Sequence, residues 1–221
     1  MTKTSQNRRA MLSAIGAAAA GVALASSSAK AQGTAVPAAA ATSTKFSPAH
    51  HKEDEWFDAL PGKHRVFIDT ASLESASEGL LYANNLFTAN KSGYGLADGD
   101  LATVVCFRHH STIFAYNNAM WEKYGKVIAD SSKYVDPKST EAPKANPMRQ
   151  IDGLAKRGVH FAICGLATRR IAGQIATATG AKADEIQAEL IANVIPNGHV
   201  VAAGVIATTR AQEYGYSLLV G

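Results

Sequence analysis

From residue 63 onward, short β-branched runs alternate with segments of helical spacing, and this order leaves few folds open. The runs cover 64–69, 102–107, 159–164, 199–202 and 216–220. Each is short and nearly continuous in apolar residues, the pattern of strands covered on both faces. Helical spacing covers 75–90, opening with Ser75 and Glu78 at capping-box distance, then 111–124, 167–179, 184–191 and 204–214. Gly180 and Gly215 follow two of these segments, as helix-ending glycines do. Strands alternating with helices predict an α/β fold, a three-layer α/β/α sandwich around a five-stranded, mainly parallel sheet.

Upstream of this block the texture differs. Asn7-Arg8-Arg9-Ala10-Met11-Leu12 leads into an alanine-rich apolar stretch and then Ala29-Lys30-Ala31. This is the anatomy of a twin-arginine signal peptide over 1–31, cleaved after Ala31, and it predicts a periplasmic or otherwise exported protein. The rival reading, an uncleaved anchor, needs a longer and more apolar run. No other stretch reaches spanning length, so no membrane span is expected in the mature form. The chain has 22 basic and 18 acidic residues, and Lys3, Arg8, Arg9 and Lys30 fall within the signal with no acid. The remainder is therefore balanced, and nucleic acid is excluded as a partner. Residues 32–61, rich in Ala, Thr, Ser and Pro, read as a flexible arm. Residues 62–221 form one domain, interrupted over 125–150 by an excursion with Pro137, Pro143 and Pro147. Its place after a helix favours a surface excursion or a subunit contact over a catalytic loop.

Open parallel sheets collect ligands beyond the carboxyl ends of their strands. Here those ends carry Asp69, then His109 and His110, then Cys164. Cys164 stands where a strand gives way to a helix, so unpaired amides and Arg169 or Arg170 are expected to favour its thiolate. Such a sulfur attacks and carries sulfane sulfur. The opposite reading is a small buried hydrophobe. Cys106 lies inside a strand and is expected in the core, and a Cys106–Cys164 disulfide is open in an oxidising compartment. His109 and His110 line the same end of the sheet, either solvated or as ligands of haem or a metal. His160 and His199, within strands, and His50 and His51, in the arm, read as structural or solvated. No sequence motif calls for a cofactor or a resident metal: C-x-x-C-H, H-E-x-x-H, paired C-x-x-C, the two phosphate-binding glycine motifs and G-x-S-x-G are all absent.

Gly158-Val159-His160-Phe161-Ala162-Ile163-Cys164 entering a helix, Leu190 to Val201 with its Pro196-Asn197-Gly198 turn, and Gln212-Glu213-Tyr214-Gly215-Tyr216 together resemble the DsrE/DsrF-like family. The order of elements agrees from about residue 65 to the end. The resemblance implies a five-stranded subunit that assembles into a homo-oligomer. It also implies a cysteine at the position of Cys164 that relays sulfur as a persulfide between a donor and an acceptor, each a protein or a small sulfur compound. The family's relay partners are cytoplasmic, whereas this chain carries an export signal. The expected function is thus a periplasmic persulfide carrier working through Cys164. The alternative is a non-catalytic oligomeric binding module, for haem or metal at His109/His110, with Cys164 as inert packing.

Overall fold

The structure, a computed structural model, describes residues 46–221. The expected signal peptide and the first part of the arm lie outside the described residues. The elements run α1 (Trp56–Ala59), β1 (His64–Thr70), α2 (Leu73–Tyr94), β2 (Leu101–Phe107), α3 (Asn118–Ser131), α4 (Ile151–Lys156) and β3 (His160–Cys164). They continue with α5 (Gly165–Thr179), α6 (Ala183–Ala192), β4 (Gly198–Val201), α7 (Gly204–Glu213) and β5 (Ser217–Val220). The five strands form one parallel sheet in the order β4-β3-β2-β1-β5. The expected α/β sandwich is therefore present, and β2, buried at every position, is its centre.

Strand order dictates which face each helix covers. The connections β1→β2, β2→β3 and β3→β4 step in one direction, so right-handed crossovers put their helices on one face. The β4→β5 connection returns across the whole sheet, and α7 falls on the other. Two cores follow. One joins Ile68, Val105, Phe107, Phe161 and Ile163 to α2–α6. The other joins Phe67, Val104, Cys106 and Ala162 to α7, with Phe57 and Leu60 from the chain before β1.

That second core corrects the expectation of a flexible arm for its described portion. Phe57 is fully buried, and the Tyr216 hydroxyl donates to its carbonyl at 2.7 Å. Arg65 donates to Asp58 at 2.9 Å and to the Tyr214 carbonyl at 3.0 Å. A single helix cannot cover five strands, and the segment before β1 fills the space left beside α7.

Three local expectations also shift. The cap of α2 is Ser72 and not Ser75: Ser72 accepts from the Ser75 amide, and the Ser75 hydroxyl accepts from the Ser72 amide. The segment after β2 is not one helix. Ser111–Ala115 form a 3₁₀ turn, Tyr116 is extended, and Asn117 caps α3 through the Met120 amide. Helix α3 then runs to Ser131, so the excursion begins only at residue 132. Its end is pinned where Asn146 donates to the carbonyls of Phe114 and Tyr116 at 2.8 and 2.9 Å. Among the described residues, no helix is long and apolar enough to cross a membrane.

Candidate functional site

Adjacent strands β3 and β4 send their following helices to opposite faces, α5 to one and α7 to the other. The junction between their ends is the switch point, the topological crevice at which open α/β sheets take ligands. Cys164 lies in it, paired with Val201 of β4 and 7% exposed. It is the N-cap of α5 and makes no side-chain cap bond, and Ala203 stands in the same relation to α7. Both helix starts therefore keep unpaired amides at the crevice, and each carries the positive end of a helix dipole.

The crevice is narrow because it is walled by backbone. A Cβ at Gly165 would sit 2.8 Å from the Val201 carbonyl oxygen, and one at Gly204 would collide with the Arg108 side chain. Glycine at both helix starts lets the strand ends and Arg108 close around Cys164.

The cation of this site is Arg108, which the sequence reading did not single out. It follows Phe107, the last β2 residue paired with β3, whose partner Ile163 precedes Cys164. Its guanidinium donates twice to Asp69, at 2.7 Å from Nε and 2.7 Å from Nη2. Asp69 is buried, and Arg108 is partly open to solvent. The bond to Asp69 holds the Arg108 guanidinium above its ordinary range. Asp69 thus anchors the arginine.

The other expected residues have surroundings of their own. Arg169 and Arg170 are exposed, and Arg170 donates to the Ser131 carbonyl at 3.1 Å, toward the end of α3. His109 and His110 occupy the turn after β2, with His109 in the left-handed region at φ 55°. Ser111 fixes that turn, accepting from the Arg108 amide and donating to the Thr70 carbonyl at 2.9 Å each. The two rings pack at 4.0 Å, tilted by 60°. Burial pushes the His110 imidazole down, followed by His109, Arg170 and Lys133. Among the described residues, no group of three or more His, Cys, Asp or Glu side chains is placed to hold a metal.

Both cysteines are free. Cys106 pairs with Ala162, so Cys164 lies two residues farther along β3 rather than opposite it. Cys106 is fully buried, and burial pushes its thiol well up, with Asp69 and Cys164 adding. Cys106 is a core residue, as expected, and Cys164 alone reaches the crevice.

No known protein family and no curated protein matches this chain. Solved structures do include similar chains. One is a protein of unknown function, MTH1491 from Methanobacterium thermoautotrophicum, with 15% identity and a TM-score of 0.39, over 72% of this chain and 100% of that one.

The sequence also hid an association on the second face. His160 Nδ1 and His199 Nε2 lie 2.9 Å apart, and Trp56 stacks on His199 with centroids 4.0 Å apart and planes within 5°. Nothing in either strand's apolar pattern signals that two histidines 39 positions apart would meet; only the β3–β4 register does.

Proposed function

We propose that this is an exported sulfur-handling protein of the DsrE/DsrF-like type, acting as a homo-oligomer, in which Cys164 carries sulfane sulfur. The observation that carries the reading is the position of Cys164: at a switch-point crevice, capping α5, beside an arginine held by a buried carboxylate. In the loading step the Cys164 thiolate attacks the outer sulfur of a polysulfide. The adjacent S–S bond breaks, and its electron pair leaves with the shortened polysulfide, so Cys164 becomes a persulfide anion. In the transfer step an acceptor thiolate attacks the outer sulfur and Cys164 leaves as the thiolate.

Mass spectrometry after polysulfide treatment tests this. The expected result is a gain of one sulfur atom mapped to Cys164 and absent from Cys164→Ser. An unmodified Cys164, or equal modification of the variant, refutes it.

The low exposure of Cys164 favours a second reading, an oligomeric module in which the thiol is inert packing. Iodoacetamide separates the two. Labelling of Cys164 in the native protein supports sulfur chemistry, and protection until denaturation supports the module.

A further inference from the structure

His160 opens β3 and His199 lies in β4. Both side chains share the sheet face of Ala162, which pairs with His199 and belongs to the α7 core. Their facing nitrogens, 2.9 Å apart, have one arrangement that bonds: one carries hydrogen and donates, and the other is bare and accepts. A first extra proton can settle on the far nitrogen of the donor ring and leave this bond intact. A second must go to the facing nitrogen of the acceptor, which sets two N–H groups against each other. Trp56 lies flat on His199 and belongs to the segment before β1, so the bond and that segment's seat are one structure.

We propose that the His160–His199 pair is an acid-released latch for the segment before β1: uptake of the second proton breaks the imidazole–imidazole bond and lifts the Trp56 turn from the sheet face it covers.

The charged groups around the pair are occupied elsewhere. From the segment itself, Asp58 pairs with Arg65 of β1 at 2.9 Å and Asp54 with Arg210 of α7 at 3.7 Å, while Glu53 and Glu55 are exposed. Arg210 also holds Glu213 at 2.8 Å, and His50 stacks on Tyr214. From β2, Ala102 and Val104 are apolar. None of these charges moves either ring. Burial and then His160 push His199 down to about 4, and burial alone lowers His160. Both groups are thus held below the ordinary histidine value. Their support for docking is complete above about pH 6.5 and drains away as pH falls below it. For His199 the loss runs down to about 4.

Hydrogen exchange on the full chain, from about pH 7 to about pH 4.5 and corrected for intrinsic rates, reads the latch directly. Exchange of the peptide over 52–61, relative to a β2 peptide, should rise about tenfold or more, since each unit of pH below a group's unfolded value shifts docking by up to tenfold. In His199→Phe, which keeps a flat ring under Trp56 and loses the imidazole–imidazole bond and the His199 titration, the rise should shrink severalfold to what His160 alone contributes. His160→Gln, which removes the charge repulsion between the two rings, should move the rise to lower pH and serves if the first variant fails to fold. A level ratio in the wild-type protein overturns the proposal. So does an unchanged rise in His199→Phe, which would place the trigger outside the histidine pair. Docking that EDTA loosens and zinc restores at neutral pH would make the pair a metal site and overturn it as well.

Discussion

Arg108 and Asp69 are unequal partners, and that inequality gives a measurable signature. The pair is bidentate at 2.7 Å, with side-chain exposures of 27% for the arginine and 8% for the aspartate. Breaking a fully buried pair by removing one partner costs about 3–5 kcal/mol, because the survivor is left charged and uncompensated. Asp69→Asn leaves Arg108, which can turn toward water and keep an amide as acceptor, so about 1–2 kcal/mol is expected after discounting for its exposure. Arg108→Met strands a carboxylate with almost no access to solvent, and about 3 kcal/mol is expected at neutral pH. The second cost depends on pH. A stranded buried carboxylate has its pKa raised, so the penalty is largest above that raised value. It fades as acid neutralises the group, by up to about 1.4 kcal/mol per pH unit. The double variant leaves no uncompensated charge and should recover most of the loss. Urea unfolding at about pH 8 and about pH 5, compared at constant m-value, measures all of this. Equal costs for the two single variants, or a cost for Arg108→Met that ignores pH, would refute the argument.

Other consequences follow from the same contacts. Phe57→Ala should destabilise by about 3–5 kcal/mol in chemical denaturation, since the ring is fully buried under α7. A cost under about 0.5 kcal/mol would mean that the segment before β1 is a loose arm after all. Tyr216→Phe should cost about 1–2 kcal/mol and raise hydrogen exchange around residue 57, because its 2.7 Å bond satisfies a buried carbonyl. Gly165→Ala should reduce persulfide loading of Cys164 and lower stability by about 1–3 kcal/mol, as the added carbon presses on the Val201 carbonyl; unchanged loading would show that the crevice has slack. Asn146→Ala removes two carbonyl bonds, and limited proteolysis within 132–147 should accelerate severalfold while the sheet stays protected.

Much of this architecture is legible in the sequence, and the exceptions have physical causes. The five β-branched runs all become strands; β1, β2 and β3 are largely buried, as continuous apolar runs imply, whereas the edge strands β4 and β5 carry the same apolar texture and are mostly open. Helix α2 starts earlier than its periodicity suggests, since Ser72 and Ser75 cap each other and a serine pair resembles any polar turn. The segment 111–124 has apolar spacing that suits a helix. Its first part instead forms a tight turn that delivers Ile113, Phe114 and Tyr116 to the core, and composition does not separate the two outcomes. At the crevice, Cys164 and Asp69 are readable as strand-end residues. Arg108 is not, because a single arginine after a strand looks solvated until its carboxylate partner is located 39 residues away. Arg169 and Arg170 are exposed on α5, and Arg170 bonds to the Ser131 carbonyl, a partner that nearness in sequence to Cys164 does not announce. The His160–His199 contact depends on strand register alone, and no local signal encodes it.

The bond from Tyr216 to the Phe57 carbonyl spans 159 positions, and β5 pairs only with β1 at the sheet edge. Synthesis must therefore pass β5 before this side of the molecule can close. Until then Phe57, Phe67 and the free edge of β1 have no lasting cover, and a nascent chain exposes them to any sticky neighbour. A chain truncated by a handful of C-terminal residues would keep most of its helices and still present an open strand. Whether this side has closed can thus be read at one place, where the segment before β1 meets Tyr216.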